Sequence, residues 1–163
     1  SVFELSASQP EFQGMGTTLV AALVQGNRAV FVNVGDSRGY LLRGGAIRQI
    51  TEDHSYVQEM VRKGRLTPEE SRRHPHRNLI TRAVGVDTFV DSDLFHVPLE
   101  NGDKLLLCSD GLTGMVEDSE IAYIIGDTPV LENAAEKLID TACANGGVDN
   151  ITVVLFCRGG SAE

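Results

Sequence analysis

Long apolar runs are absent from this sequence, although 42% of its 163 residues are hydrophobic. A membrane-spanning helix needs about 20 consecutive apolar residues, so we expect no membrane insertion. Residues 1–10 also lack the features of a signal peptide or a basic amphipathic leader. A chain of this length and composition can bury a real core. We therefore predict one soluble domain over residues 1–163, without an internal repeat or a domain boundary.

Positive charge is scarce, with 14 lysine and arginine residues against 23 aspartate and glutamate residues and a formal net charge of -9. Such a chain would repel a phosphate backbone, so we expect no nucleic-acid partner. Its acidity is compatible with cation binding. The exception is the stretch 62–82, which contains six arginines and one lysine: Arg62, Lys63, Arg65, Arg72, Arg73, Arg77 and Arg82.

Cysteine is rare and odd in number, since only Cys108, Cys143 and Cys157 are present. The three thiols cannot all pair within the chain, and Cys108 and Cys157 lie inside apolar runs that predict strands. We interpret the cysteines as small hydrophobic residues in a reducing compartment. This composition favours a cytoplasmic protein over a disulfide-stabilised secreted one.

Several catalytic motifs are missing. The sequence contains no nucleophile elbow, no P-loop and no CxxC pair. Its histidines do not show zinc-binding spacing, and we interpret them as surface or hydrogen-bonding residues: His54, His74, His76 and His96. These absences leave carboxylates as the main candidates for a functional site.

The strongest structural signal is the run from Leu105 to Cys108, which is followed directly by Ser109-Asp110-Gly111. Consecutive apolar residues predict a strand that is buried on both faces. Ser-Asp-Gly is typical of a turn. Asp110 is therefore expected at the mouth of a central strand, where a metal ligand could lie.

Further strands are predicted from apolar and β-branched runs with Gly-containing turns between them. Residues 1–14 lack periodicity and are predicted to be a loop. The runs at 19–24, 28–34, 38–43 and 46–50 predict a four-stranded antiparallel meander with short turns. Two more strands are expected at 93–97 and 151–157, and 158–163 is expected to be a loose tail.

Helices are predicted where apolar residues recur every three or four positions. One covers 56–61, and a second begins at Thr67, where Thr is the N-cap and Pro68 the first helical residue. Helices are also expected at 118–125 and 131–142. The apolar stripe of the last of these should cover a sheet.

Three aspartates share one pattern, because Asp36, Asp110 and Asp149 each stand at the end of an apolar strand in a turn that contains Gly or Asn. If the strands are neighbours, the carboxylates converge, and they could not all stay ionised without cations. Oxygen-only ligands favour Mg²⁺ or Mn²⁺ over zinc. At any one of these sites the alternative, that the aspartate only satisfies turn amides, remains open.

The sequence resembles the metal-dependent protein serine/threonine phosphatases of the type 2C (PPM) family, in particular their bacterial soluble branch. The resemblance extends from Gly14 to Leu155, and its blocks occur in the order found in that family. The matching blocks are 14–18 (GMGTT), 34–38 (VGDSR), 51–55 (TEDHS), 78–85 (NLITRAVG), 107–112 (LCSDGL) and 149–152 (DNIT). Each block alone is modest, but the set is specific.

The resemblance implies an α+β fold, an antiparallel β-sandwich flanked by helices in α-β-β-α layers, with a two-metal Mn²⁺ or Mg²⁺ centre at one edge. It assigns Asp110 and Asp149 to one ion, and Asp36 with Asp110 to the third ion of bacterial members. The segment from Ser55 to Pro75 matches the mobile flap beside the active site. Catalysis would proceed by in-line attack of a water that bridges two ions and is acidified to hydroxide. We name no catalytic side chain in this chain, and its substrate-binding residues are unknown.

The sequence departs from the family at its start. Upstream of GMGTT, members carry a phosphate-gripping arginine, an acidic ligand and an Asp-Gly turn whose Asp bridges the ions, and Ser1 begins after all of these. The fold is therefore expected to be incomplete at its N-terminal side, with impaired activity and unpaired edge strands that invite self-association.

Three functional readings stay open. The first is an enzyme lineage that acts on phosphorylated proteins and opposes a serine/threonine kinase. The second is an inactive module or fragment that binds phosphoproteins, and the third is a sporulation-type relative with an anti-sigma partner.

Overall fold

A computed structural model describes residues 1–159 of the chain. Within the predicted tail, Arg158 is not loose, because its backbone N–H donates to Asp103 O at 2.9 Å and its carbonyl accepts from Gly102 N at 2.8 Å. Residues 160–163, the remainder of that tail, lie outside the described residues.

The fold is α+β, with two antiparallel sheets and flanking helices, as expected. The first sheet has the order β1-β2-β5 and the second the order β4-β3-β6-β7. The strands are β1 (Leu19–Gln25), β2 (Arg28–Val34), β3 (Arg38–Arg43), β4 (Ala46–Gln49), β5 (Asp93–Pro98), β6 (Lys104–Cys108) and β7 (Val153–Cys157). The helices are α1 (Val2–Ser8), α2 (Tyr56–Arg62), α3 (Pro68–Arg73), α4 (Asp110–Thr113), α5 (Asp118–Asp127) and α6 (Leu131–Ala144).

The predicted four-stranded meander is wrong as one sheet: its strands and its β1–β2 and β3–β4 pairings are present, but β2 does not pair with β3. β1 and β2 belong to the first sheet, and β3 and β4 belong to the second. The chain changes sheets at the turn that contains Gly35, whose φ of 104° lies in the left-handed region. β2 then pairs with β5, and β3 pairs with β6. These two long-range pairings form in place of the expected hairpin between β2 and β3.

The apolar core has two layers, which meet at β6. Between the sheets, Leu105 packs in one cluster with Phe31 and Val97. On the opposite face of β6, Leu106 packs in the other cluster with residues that include Ile121 of α5. Burial of a large apolar side chain stabilises the fold by about 1.5–3 kcal/mol. The prediction that β6 is buried on both faces is confirmed.

The N-terminal segment is helical, which corrects the prediction of a loop over residues 1–14. Ser1 accepts a hydrogen bond from the backbone N–H of Glu4, and the Glu4 side chain returns to the Ser1 backbone in a capping box. A short 3-10 helix follows at Pro10–Phe12. The segment is too short for its apolar residues to show a clear helical period.

The flap-like segment contains α2 and α3. Ser55 caps α2 by accepting from the backbone N–H of Gln58. Thr67 caps α3 in a capping box with Glu70, and Pro68 is the first helical residue. The helix start predicted at Thr67 is therefore confirmed.

Two further findings concern the length of the helices and the state of the cysteines. In residues 1–159, no helix combines the length and the apolar character needed to cross a bilayer. Cys108, Cys143 and Cys157 are all free thiols.

Candidate metal centre

Asp110 is the first residue of α4, directly beyond β6. The preceding Ser109 donates from Oγ to Asn150 O at 2.9 Å and accepts from Thr152 N at 3.0 Å. A Cβ on Gly111 would lie 2.4 Å from Asn150 O. Only glycine lets the loop before β7 approach this closely, so the turn beside Asp110 and that loop are packed together.

Asp36 follows β2 at the point where the chain passes between the sheets. Gly35 has a positive φ, and a Cβ there would lie 2.4 Å from Cγ2 of Thr18. On the other side of Asp36, the hydroxyls of Ser37 and Thr18 are hydrogen-bonded at 2.8 Å. The turn that carries Asp36 is therefore held against the start of β1.

The electrostatics connect the three predicted aspartates in a series. Burial, and then the negative charge of Asp110, raise the pKa of Asp36 to about 6. Burial, and then the negative charge of Asp149, raise the pKa of Asp110. Among residues 1–159, none of the three forms an ion pair. Asp110 thus interacts with two like charges, and the nearby Arg38 offsets their effect only in part.

Asp149 differs from the other two in position. Asp36 and Asp110 both line one cleft, and Asp149 is not among its lining residues. It is exposed, and its Oδ1 accepts a hydrogen bond from Asn150 N at 2.7 Å. The turn-capping role that the sequence left open therefore describes part of what Asp149 does.

The donor set suits a hard divalent cation but is only partial. Carboxylate oxygens that repel one another are the ligands that Mg²⁺ and Mn²⁺ favour. However, within the described part of the chain no three His, Cys, Asp or Glu side chains come close enough to hold one ion together. An ion held here would need water or other donors to complete its shell.

The cleft that contains Asp36 and Asp110 has a volume of about 750 Å³. Its acidic lining includes Asp118, and three arginines also line it: Arg72 and Arg73 in the flap-like segment and Arg77 just after that segment. Arg72 forms an ion pair with Glu117, just before α5. The cleft is therefore lined by both carboxylates and guanidinium groups, and the ion pair of Arg72 with Glu117 joins the flap-like segment to the residue before α5.

The sequence did not predict the residues that support this rim. The guanidinium of Arg38 contacts both carboxylate oxygens of Asp53, with Nη2 2.7 Å from Oδ2. Its positive charge also partly offsets the raised pKa of Asp36 and of Asp110. Arg38 and Asp53 stand in two of the matched blocks, VGDSR and TEDHS, but no spacing rule pairs them.

Three of the four histidines make contacts within the described part of the chain. His54 is buried and hydrogen-bonded. The rings of His74 and His76 are 5.6 Å apart, beside Tyr56. These two rings therefore lie together, on one side of Tyr56.

Comparison with known proteins agrees with this geometry. A helix-flanked antiparallel sandwich with carboxylates at its edge is the fold class of metal-dependent phosphatases that the sequence resembled. The sequence matches the family described as Protein phosphatase 2C over residues 2–151, and the chain belongs to that family.

Relatives with similar sequences and folds are bacterial phosphatases. The serine/threonine phosphatase stp of Listeria monocytogenes is 48% identical over 153 residues, which cover 94% of this chain and 61% of the relative. The structure of Stp1 from Staphylococcus aureus has a TM-score of 0.93 and 42% identity, and the match covers 98% of this chain and 63% of that one. The catalytic domain of PstP in complex with two manganese ions has a TM-score of 0.85 and 43% identity, over 94% of this chain and 64% of that one. The chain thus spans a little over three-fifths of the length of these proteins.

Proposed function

We propose that this chain carries part of the active site of a metal-dependent protein serine/threonine phosphatase, and that Asp36, Asp110 and Asp149 hold its Mn²⁺ or Mg²⁺ ions. One observation carries the proposal. The Asp36 and Asp110 carboxylates share one cleft, and the pKa of Asp36 stays raised by burial and by the charge of Asp110, although the positive charge of Arg38 partly offsets it. A divalent ion would remove this repulsion.

Each aspartate has a proposed place in the metal centre. Asp110 lies between the other two, so it can share one ion with Asp149 and another with Asp36. The relative bound to two manganese ions supports manganese as one of the metals. Two ions would form the main centre, and the Asp36 position would belong to a third.

The substrate of the complete protein would be phosphoserine or phosphothreonine in other proteins. Bound ions would acidify water and neutralise phosphoryl oxygens. The residues of this chain would position those ions through Asp110 and its neighbours. The cleft arginines Arg72, Arg73 and Arg77 would attract the phosphorylated segment.

The wider setting is also a proposal. Residues 1–163 would form one phosphatase-like domain in the cytoplasm, with a flap at about 55–75, and would act on targets of a serine/threonine kinase. Because the chain spans 61% of its Listeria relative, its activity alone would be impaired. β1 and β7 each end a sheet, so their free edges would promote self-association.

A second candidate is a module that binds phosphoproteins without hydrolysing them. The observation in its favour is the partial ligand set, since the described residues contain no group of three that could hold an ion. The arginines that line the cleft would be sufficient to bind a phosphorylated segment.

Manganese-dependent hydrolysis of p-nitrophenyl phosphate tests the first candidate. The chain is compared with its Asp110→Asn variant and with Asp140→Asn, an exposed control on α6. Weak hydrolysis that needs manganese, survives in Asp140→Asn and disappears in Asp110→Asn supports the metal site. No hydrolysis at any manganese concentration, together with phosphopeptide binding, supports the second candidate.

A further inference from the structure

His54 contacts both peptide groups of Gly35, the residue before Asp36. The backbone N–H of His54 donates to Gly35 O at 2.9 Å. In return, the Gly35 N–H donates to Nδ1 of the His54 ring at 3.1 Å. His54 is 3% exposed, so water competes poorly for these hydrogen bonds.

The orientation of the ring is fixed from its other side. Because Nδ1 accepts from Gly35, the ring proton lies on Nε2, which is 3.0 Å from Oδ2 of Asp93 and donates to it. Arg82 Nη1 donates to Oδ1 of the same carboxylate at 3.0 Å; it also lies 3.3 Å from Nε2, but two donors face each other there and form no hydrogen bond. The hydrogen bond from His54, followed by that from Arg82, lowers the pKa of Asp93. Asp93 therefore stays ionised and holds one tautomer of His54.

A buried asparagine adds to this support. Asn33 is fully buried in β2, and its Nδ2 donates to Gly35 O at 3.1 Å and to Glu52 O at 2.9 Å. The Gly35 carbonyl thus accepts from both Asn33 and His54. The peptide groups of Gly35 are therefore hydrogen-bonded both to Asn33 in β2 and to His54 in the TEDHS block.

We propose that His54 is a positioning residue for Asp36, because it fixes the Gly35 peptide from which the Asp36 carboxylate is presented to the cleft. The inference deepens the proposed function and rests on the metal-binding role of Asp36. His54 itself does not line the cleft and is not assigned a catalytic step. Its effect on the ion would pass through a fixed backbone, as with residues that orient metal ligands elsewhere.

The tautomer of His54 is tested first, by ¹⁵N NMR of the labelled chain. We expect Nε2 to carry the proton and Nδ1 to show the shift of a hydrogen-bond acceptor. A dominant Nδ1–H tautomer would exclude the hydrogen bond from Gly35 and overturn the proposal.

Backbone hydrogen exchange then separates positioning from general stability. In His54→Asn the side-chain oxygen can replace Nδ1 as the acceptor, whereas in His54→Gln the side-chain amide nitrogen replaces Nε2 as a donor to Asp93 and no acceptor faces the Gly35 N–H. We expect the Gly35 amide to exchange about tenfold faster in His54→Gln, the effect of losing one hydrogen bond. His54→Asn should restore slow exchange, and the exposed His96→Asn is the control. Equal acceleration in both His54 variants would overturn the proposal.

Manganese affinity, measured by electron paramagnetic resonance, links the turn to the ion. Asp36→Asn defines the loss expected when this ligand is removed. His54→Gln should lose at least about threefold in affinity, and the double variant should lose no more than Asp36→Asn alone. Additive losses in the double variant would overturn the coupling.

Failure of the proposed function has a different signature. If Asp36→Asn leaves manganese affinity unchanged, the role of Asp36 as a ligand falls. The exchange of the Gly35 amide still decides whether His54 fixes the turn.

Discussion

Arg38 and Asp53 form a three-bond ion pair behind the acidic rim, with donor–acceptor distances of 3.0, 3.1 and 2.7 Å. The Asp53 side chain is 11% exposed and that of Arg38 is 27% exposed. Gln49 Nε2 adds a hydrogen bond to Asp53 Oδ1 at 2.9 Å. The pair joins the first residue of β3 to the TEDHS block and places a cation beside two repelling carboxylates.

Replacing this cation should destabilise the fold. Arg38→Met leaves the Asp53 carboxylate buried without its partner, and we expect a loss of about 2–3 kcal/mol in the free energy of unfolding. Urea unfolding measures the change. The control is Arg62→Met, because Arg62 and Glu52 form an exposed ion pair at 3.5 Å. That variant should lie within about 0.5 kcal/mol of the parent, and equal losses would show that the Arg38 pair has no special role.

The carboxylate of Asp36 should oppose stability in the metal-free chain. Its folded pKa of about 6 lies above the value of about 3.9 for an unfolded aspartate. The ionised group is therefore unfavourable in the folded state above pH 6, and the penalty is relieved as pH falls from 6 toward 4.

Asp36→Asn tests this penalty through urea unfolding at a series of pH values. The variant should be more stable than the parent at pH 8 without metal, and the difference should vanish near pH 4. Asp140→Asn on exposed α6 is the control and should show no such dependence. A gain that persists unchanged at pH 4 would contradict the electrostatic cause.

Gly111 should tolerate no side chain. In Gly111→Ala the new Cβ would meet the Asn150 carbonyl at 2.4 Å, so the loop or α4 must shift. We expect a loss of about 1–3 kcal/mol, the usual effect of overpacking. Gly126→Ala is a matched control within α5, where a Cβ meets nothing within 4 Å. Because alanine favours a helix over glycine, the control should gain about 0.5–1 kcal/mol, and thermal unfolding should give the two variants opposite signs.

Asp103, which precedes β6 at the opposite end of that strand from Asp110, should make the stability of the fold sensitive to acid. Asp103 is 1% exposed, and the hydrogen bonds from Arg43 are the main reason why its pKa is lowered. Its stabilising contribution is complete above the unfolded pKa of about 3.9 and is lost as pH falls below that value toward the lower folded pKa. Asp103→Asn should therefore show a flatter dependence of unfolding free energy on pH below 4 than the parent. An unchanged slope would contradict this assignment.

The sequence was sufficient for the strands and for the β1–β2 and β3–β4 hairpins, but not for the pairing across the two halves of the predicted meander. Each strand is an apolar run with glycine or asparagine at its turns, and these signals are local. On the edge away from β1, β2 pairs with β5 and not with the expected neighbour β3. β5 begins at Asp93, far along the chain from β2. Sheet membership depended on which faces could be buried together, and that is a property of the whole chain.

The candidate site, like the fold, could be predicted from the sequence only in part. Asp36 and Asp110 were predicted because a carboxylate in a Gly-containing turn after a strand is visible in sequence. Their support was not predictable, since Arg38 and Asp53 are 15 residues apart. The hydroxyl of Tyr40 donates to Asp118, 78 residues away, at 3.2 Å. Such pairs exist only after the sheets have formed.

The arginines that line the cleft should bind phosphorylated peptides, whether the chain belongs to an active phosphatase or is a binding module. Arg77, just after the flap-like segment, lines the cleft, and Arg65 within that segment does not. Arg77→Ala should weaken binding of a phosphoserine peptide about fivefold, the loss of roughly 1 kcal/mol from an exposed charge contact, and Arg65→Ala should leave it unchanged. Fluorescence anisotropy at two salt concentrations measures this, because the Arg77 contribution should shrink as screening increases. If both variants bind equally weakly, the segment acts through its net charge, and Arg77 makes no specific contact with the phosphate.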